Sequence, residues 1–372
     1  MPGRKITLAL AIACVLLLSI KLPGLAAKGI PGSSEFGFGG QIHLAGINLT
    51  EALNTAGNLH LDWIAIDLAW NEYQPKPDQP PNLGLIDQVM QIASQQQLAV
   101  LVRLTNPPAW ALTPKGPDSQ RTAKWIVSLA QRYPGTLMAV EIYPGANTRA
   151  GWGAPVDPKS YYSLVSTVRN QLQAAKMPVI VVAGGLVPLG SSAAPGDMTD
   201  TAFLESFYQA AGKDQISVIS LQINDPTGAP LAPSTNNEPR VLRRYEDLRQ
   251  VMVKYQQGNN LLWITRLCPP SGKINPEDLK YTDASQQADW LTQAYSQIRS
   301  QLYIGVAIMG NINQPAANSP QFSLIQGTSS GYHPFYKSFR NQIAASRTFM
   351  STPTGKSKNG IVIKKQVTAN RP

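Results

Sequence analysis

The chain has 372 residues, of which 43% are hydrophobic and 15% are charged. That length and balance suit one large globular domain and exclude a low-complexity chain. The formal net charge of +10 is carried by the two ends, since residues 1–28 hold four basic side chains, residues 345–372 hold six, and neither segment holds an acid. The body is therefore near neutral, and this excludes a nucleic-acid-binding surface as the expected function.

The amino terminus has the parts of a secretory signal: Arg4 and Lys5, an apolar run over 6–20, and Leu25-Ala26-Ala27 as a cleavage site. We expect residues 1–28 to be a cleaved signal peptide or a retained membrane anchor, because about fifteen apolar residues are short for a membrane span. Both alternatives predict an extracytoplasmic protein, either secreted or membrane-anchored.

The carboxyl-terminal segment 345–372 is rich in Ser, Thr, Lys and Asn and has little apolar periodicity. It is predicted to be a disordered basic tail. The tail is either simply solvated or attracted to an anionic envelope polymer or membrane face.

Between these ends, short apolar strands alternate with amphipathic helices. Strands are predicted at 36–42, 63–68, 98–104, from 140 onward, and at 179–183, 216–223, 261–265 and 303–309. Gly184-Gly185 is expected to close the fifth strand, and Asp157-Pro158 to open the helix after the fourth. Eight alternations with nearly continuous apolar strands predict an α/β fold, a single-domain (β/α)8 barrel over 35–344.

The run Val140-Glu141-Ile142-Tyr143-Pro144-Gly145-Ala146-Asn147 resembles the Glu-Ile-Trp-Asn-Glu-Pro-Asn segment of retaining glycoside hydrolases in the clan of cellulases and β-xylosidases. Further matches follow in family order at 63–70, at Pro108-Ala109-Trp110, at 183–186 and at Trp263-Ile264-Thr265. The resemblance covers most of 60–310 and implies the same barrel fold.

The resemblance also implies where the chemistry should lie. In that family the Asn-Glu pair on strand four contacts the sugar 2-hydroxyl and supplies the general acid/base, and a Glu after Trp-Ile-Thr on strand seven is the nucleophile. Here Pro144 and Gly145 occupy the first two places and Arg266 the third. The His-Pro-Tyr run of strand six aligns with Gln222, Ile223 and Asn224. Losses on three strands favour an inactive relative.

Other carboxylates near strand ends could have taken over catalysis. Alternation directs Glu141 into the barrel, where we expect an ion pair with Arg103. Asp67 is expected to be structural. Glu72 and Asp225 are either solvated or the alternative catalytic couple.

Arg266 itself has two interpretations. It either pairs with a surviving acid, Glu141 or Asp225, or holds a carboxylate, sulfate or phosphate on a ligand through paired hydrogen bonds.

Aromatic side chains near the active-face ends of the strands are the remaining sign of sugar binding, because apolar sugar faces stack on rings. Trp110 and Trp152 are the preferred stacking platforms. Trp70 is either core or part of its loop, and Trp263 is expected to be structural. Tyr73 also lies at one of these strand ends. The predicted ligand-binding set is Trp110, Tyr143, Trp152, Gln222, Asn224 and Arg266.

Metal and cofactor chemistry is not expected. His43, His60 and His333 lack ligand spacing, and no phosphate loop or serine elbow is present. Cys268 is expected to be a packed thiol that forms no intrachain disulfide.

The sequence therefore predicts an exported barrel of glycosidase descent without its catalytic carboxylates, binding a glycan or envelope polysaccharide or acting as a scaffold. The alternatives are an active O-glycosyl hydrolase with relocated acids and a purely structural partner protein.

Overall fold

The computed structural model describes residues 27–46, 48–191, 193–270, 284–313, 322–326 and 331–348. Eight parallel strands close into a barrel in chain order, with the last strand pairing back onto the first. The (β/α)8 prediction is confirmed. The strands are β1 Gly37–Ile42, β2 Trp63–Ala69, β3 Ala99–Thr105, β4 Leu137–Ile142, β5 Ile180–Leu186, β6 Val218–Ile223, β7 Leu261–Leu267 and β8 Ile304–Met309.

Helices surround the barrel, and each buries one apolar stripe against it. They are α1 Leu49–Asn58, α2 Trp70–Tyr73, α3 Gly84–Gln95, α4 Ser119–Arg132, α5 Arg149–Trp152, α6 Pro158–Ala174, α7 Asp200–Ala211, α8 Arg244–Lys254, α9 Ala284–Arg299 and α10 Phe335–Thr348. No described helix is long and apolar enough to cross a bilayer.

Local sequence explains where the elements begin and end. Asp157 caps α6 by accepting hydrogen bonds from the backbone N–H groups of Lys159 and Ser160, and Pro158 takes the first helical position, as predicted. Strand β5 does not close at Gly184-Gly185, however, but runs through both glycines to Leu186. Their positive φ angles, 118° and 56°, are tolerated because glycine has no Cβ.

The predicted end segments fall largely outside the described residues. Of the signal or anchor segment 1–28, the structure describes only Ala27 and Lys28. The boundary at 345 is wrong, because α10 continues to Thr348 before the described chain ends.

The amino-terminal end of the barrel interior, here called the barrel base, is apolar and filled. Its buried side chains are Ala27, Trp63, Ala65, Ala99, Leu101, Ala139, Val182, Val218, Trp263, Val306 and Ile308. The two indole rings lie edge to face, with centroids 5.0 Å apart. Trp263 is therefore structural, as predicted.

Residues 27–30 cross the barrel base and are held there by the two tryptophans. Trp63 Nε1 donates to the Lys28 carbonyl at 2.8 Å, and Trp263 Nε1 donates to the Gly29 carbonyl at 2.9 Å. Gly29 approaches Gly305 so closely that an added Cβ would lie 2.2 Å from the Gly305 oxygen. The segment plugs the base and leaves the opposite end as the possible entrance.

Candidate functional site

The carboxyl-terminal end of the barrel, here called the mouth, is lined by polar side chains. Inward positions near the ends of six strands carry Gln41, Asp67, Arg103, Glu141, Ser220 and Thr265. They follow the apolar base residues at spacings of two or four, because alternate side chains on a strand face the same side. The inward side chains of these strands thus change from apolar at the base to polar or charged at the mouth.

Asp67 and Arg103 form the centre of this layer. They are neighbours in the β2–β3 register, and the Asp67 carboxylate accepts from Arg103 Nε at 2.7 Å and lies 2.6 Å from Arg103 Nη2. Arg103 is 1% exposed and also donates to the Thr265 carbonyl at 3.0 Å. Burial alone would raise the pKa of Asp67, but the charges of Arg103 and Arg266 outweigh it and hold that pKa below its ordinary value.

Arg266, on β7, joins the same acid across the barrel mouth. Its Nη2 donates to Asp67 at 3.0 Å, so the predicted pairing with Glu141 or Asp225 is wrong. Strict alternation would turn Arg266 outward, since Thr265 faces inward. A register shift in β7 pairs Leu221 with Ile264 but Gln222 with Arg266, and this bulge redirects the guanidinium over the mouth.

Glu141 lies in the layer as predicted but takes different partners. It is fully buried, and its Oε1 accepts from the hydroxyls of Ser220 and Thr265, each at 2.6 Å. The expected ion pair with Arg103 is wrong, because Arg103 bonds Asp67 instead. Burial raises the pKa of Glu141, and the nearby charge of Arg103 only partly offsets this.

Gly145 lies in the turn after β4, at a φ of +84°. Its N–H donates to the Gly185 carbonyl at 2.8 Å, which ties the ends of β4 and β5 together. A side chain built here would meet only ordinary contacts at 3.6 Å or more, so the space for one exists. Because residue 145 is glycine, the position has no side chain that could donate a proton or contact a sugar.

Two of the three aromatic rings predicted for the ligand-binding set are buried. Trp152 is 1% exposed, donates to the Lys115 carbonyl and packs where a Cβ on Gly116 would lie. Tyr143 is also 1% exposed, because its positive φ turns the ring toward Thr122, whose hydroxyl lies 3.1 Å from the phenol. As surfaces for stacking a sugar, both predictions are wrong.

The remaining aromatic residues divide between the core and the mouth. Trp70 is buried and stacks on Trp125 with ring centroids 5.0 Å apart, so the core alternative holds. Trp110 is half-buried and meets Trp70 edge to face. Tyr73, left out of the predicted binding set, is half-buried beside the exposed Glu72 at the mouth.

Two cavities lie at the mouth of the described barrel, one on each side of the Asp67–Arg266 ion pair. The larger, here called the mouth groove, has a volume of about 760 Å³. It is lined by His43, Leu44, Ala45, Asp67, Ala69, Glu72, Tyr73, Asn82, Leu85, Thr105 and Asn106. The smaller, here called the side cavity, has about 210 Å³ and is lined by Asn224, Asp225, Arg266, Cys268, Pro269, Gln287, Asn311 and Phe322.

The predicted alternative couple is divided between these cavities. Glu72 lines the mouth groove and Asp225 lines the side cavity, with the Asp67–Arg266 pair between them. Of the two polar residues predicted on β6, Asn224 is exposed in the side cavity, whereas Gln222 is buried and donates to the Gly185 carbonyl.

Sequence reasoning missed most of the mouth groove. His43 and Asn106 each follow directly after a barrel strand, and this position at a strand end was the available signal. Burial lowers the pKa of His43, whose Nε2 lies against the Asn311 amide oxygen.

Burial raises the pKa of the Cys268 thiol, which fits a packed cysteine. Among the described residues, no group of three metal-ligating side chains could hold an ion.

Comparisons with known proteins identify the fold. No protein-family model and no curated protein matches by sequence. A family 39 glycoside hydrolase from Bacteroides cellulosilyticus matches in structure with a TM-score of 0.64 and 15% identity, over 83% of this chain and 63% of that one. The barrel shares its fold with this glycoside hydrolase. The chain spans less than two thirds of that enzyme's length.

Two further solved structures share this glycoside hydrolase fold. A family 5 enzyme from Bifidobacterium longum, in complex with Manβ1-4GlcNAc, has a TM-score of 0.58 and 12% identity, over 84% of this chain and 79% of that one. A β-glucosidase from Exiguobacterium marinum has a TM-score of 0.56 and 10% identity, over 85% and 99%. At these identities the likeness shows the fold alone.

Proposed function

We propose that this chain is an exported, non-catalytic barrel that binds a glycan at its mouth. The observation that carries the proposal is the Asp67–Arg266 ion pair. Arg266 stands where the resemblance expects a nucleophilic Glu, and it bonds an acid on β2, a strand that is not its neighbour, across the opening. A guanidinium carries a fixed positive charge and cannot attack an anomeric carbon.

Retaining hydrolysis needs one carboxyl group that gives a proton and a second, about 5 Å away, that attacks. Gly145 supplies neither. Asp67 has a lowered pKa and is held by two guanidinium groups, so it is a poor proton donor and a hindered nucleophile. Glu141 has the raised pKa of an acid catalyst, but it is fully buried below the mouth, beyond the reach of a sugar.

The mouth groove has the size and chemistry to bind without reacting. A volume of about 760 Å³ lies within the range of roughly 300–1,000 Å³ that ligand sites occupy. Its amides, Asn82 and Asn106, can exchange hydrogen bonds with sugar hydroxyls, and Tyr73 offers a ring for an apolar sugar face. The Bifidobacterium structure, with a disaccharide bound on the same fold, supports testing glycans first.

Export is part of the proposal and rests on the sequence of residues 1–28. Secretion and membrane anchoring through that segment both place the mouth outside the cytoplasm, where envelope polysaccharides are the available glycans.

The test combines a glycan array and a panel of aryl glycosides on the same preparation. We expect binding without sugar release, and we expect Tyr73→Ala and Asn106→Ala each to weaken binding at least tenfold. Leu231→Ala, at a surface residue that lines neither cavity, is the matched control and should bind normally.

Two outcomes would overturn the proposal. Release of sugar that disappears in Glu72→Gln or Asp225→Asn would establish an active hydrolase with relocated acids. A folded protein that neither binds nor cleaves any glycan would leave the scaffolding alternative in its place.

A further inference from the structure

The charges in the mouth do not balance around Arg266. Arg103 and Arg266 share one acid, and Asp67 makes its closest contacts, at 2.6 and 2.7 Å, with Arg103. Its contact with Arg266 is a single one at 3.0 Å. Arg266 therefore receives the weaker share of a carboxylate that already serves a second guanidinium.

Arg266 also keeps an unused donor. Its Nε is buried and has no hydrogen-bond partner among the described residues. A buried N–H without a partner loses its hydration without compensation. That Nε is enclosed by protein atoms, but the Arg266 side chain as a whole is 24% exposed and lines the side cavity, where its guanidinium is open to a ligand.

The electrostatic surroundings agree with the geometry. Burial lowers the pKa of Arg266, repulsion from Arg103 lowers it further, and Asp67 only partly compensates. Glu141 cannot be counted as a full counter-charge, because burial raises its pKa. The guanidinium stays protonated, and among the described residues it shares its ion-pair acid, Asp67, with Arg103.

The side cavity has room beside Arg266 for a ligand that carries a negative group. Its volume of about 210 Å³ corresponds to about seven water molecules at roughly 30 Å³ each, which suits one sugar unit and not a chain. Amide side chains of Asn224 and Gln287 line it beside Arg266, and Phe322 adds an apolar surface. Donors and one ring around a cation fit a sugar that carries an anionic group.

Among the described residues that line the side cavity, Asp225 opposes an anion. Burial raises the pKa of Cys268 and the charge of Asp225 raises it further, so Asp225 acts on the Cys268 side of the cavity. An acidic sugar would therefore have to enter with its charged group toward Arg266 and its hydroxyls toward Asp225.

We infer that the side cavity binds a hexuronic acid unit, whose carboxylate is held by Arg266. The inference rests on the proposed glycan-binding function and names its ligand class. The mouth groove, whose described lining includes Asp67 and Glu72 and neither lysine nor arginine, takes a neutral part of the glycan.

The experiment uses ligands that differ only in the charged group. Methyl β-glucuronide, methyl β-glucoside and the 6-sulfate of methyl β-glucoside are titrated against the full chain by NMR, at two salt concentrations. We expect the glucuronide to bind at least tenfold more tightly than the glucoside and to weaken as salt rises. Equal or tighter binding of the sulfate would overturn the carboxylate assignment and leave a general anion site.

Variants of Arg266 and Asp225 test which side chain recognises the carboxylate of the glucuronide. Arg266→Gln should lower the ratio of glucuronide to glucoside affinity at least tenfold, and Arg266→Lys should restore only part of that ratio, because an ammonium cannot form the paired contact. Asp225→Asn should strengthen glucuronide binding severalfold. Circular dichroism spectra that match wild type show that the variants are folded.

Failure of the inference and failure of the proposed function look different. If glycosides bind but Arg266→Gln does not alter the glucuronide-to-glucoside ratio, the uronic acid assignment is wrong and glycan binding stands. If no glycoside or array glycan binds the folded protein, both are wrong.

Discussion

The two ends of the barrel interior are filled by different kinds of side chain, apolar at the base and charged at the mouth. The barrel base is closed by two tryptophans that donate hydrogen bonds to residues 28 and 29. The mouth holds Asp67, Arg103, Glu141 and Arg266 within one layer, and two of these four residues keep a buried polar atom without a partner in the described structure. The base is arranged for stability, whereas the mouth keeps charged groups whose hydrogen-bonding capacity is not fully used in the described structure.

The largest expected effect tests the base. Trp263→Ala should lower the free energy of unfolding by about 3–5 kcal/mol, because it empties a fully buried indole site and removes a hydrogen bond. Urea denaturation measures the loss. Glycan preference of the folded fraction should not change, and a change would show that base and mouth are coupled. Val253→Ala, at an exposed residue of α8, is the control and should stay within about 0.5 kcal/mol.

The next effect tests the ion pair in the mouth. Asp67→Asn leaves the buried Arg103 without its counter-charge, and breaking such pairs costs about 3–5 kcal/mol. We expect the free energy of unfolding to fall by about 3 kcal/mol, because the Asp67 side chain is 37% exposed and solvent screens part of the interaction. Asp87→Asn breaks a pair in which both side chains are exposed, with Arg132, and should cost less than about 1 kcal/mol.

The stability difference between wild type and Asp67→Asn should depend on pH in a defined direction. The pKa of Asp67 lies below its ordinary value of 3.8, so the pair contributes stability above that value and loses it as pH falls through the lowered one. The difference between wild type and Asp67→Asn should therefore shrink below about pH 4. A difference that stays constant down to pH 2 would contradict the ion-pair explanation.

The smallest expected effect is a gain in stability and not a loss. The pKa of Glu141 lies above its ordinary value of 4.5, so wild-type stability is full below that pH and declines as pH rises toward the folded value. Glu141→Gln removes the decline and should stabilise the protein at neutral pH by about 1.4 kcal/mol for each unit of elevation. Thermal unfolding at pH 4 and pH 7 measures this difference.

A control separates charge from packing at the same position. Glu141→Ala also removes the charge, but it deprives the Ser220 and Thr265 hydroxyls of their acceptor and leaves a cavity. It should destabilise at both pH values. If Glu141→Gln behaved in the same way, the buried carboxylate would be stabilising rather than strained.

The barrel could be predicted from the sequence because each strand is a short apolar run and each long helix shows its own spacing. The position of Glu141 inside the barrel also followed from alternation. The partners of Arg266 could not be predicted, because the bulge in β7 breaks the alternation that would have turned it outward. A bulge depends on pairing with neighbouring strands and leaves no mark in a single sequence.

The aromatic predictions failed for a different reason. Trp152 lies among prolines and glycines, which is typical of an exposed loop, yet the short helix α5 carries its ring onto Gly116, thirty-six positions earlier in the chain. Long-range contacts of this kind decide burial, and local composition does not report them. Asn82 and Asn106 meet in the mouth groove for the same reason, from loops after different strands.

The plug formed by residues 27–30 also sets the direction in which the molecule can be held. Ala27 packs in the barrel base, so the described chain begins on the side opposite the mouth. A seven-residue strand such as β2 separates the two faces by roughly 20 Å. A tether joined to that side, natural or introduced for immobilisation on a sensor chip, would present the opening outward and unobstructed.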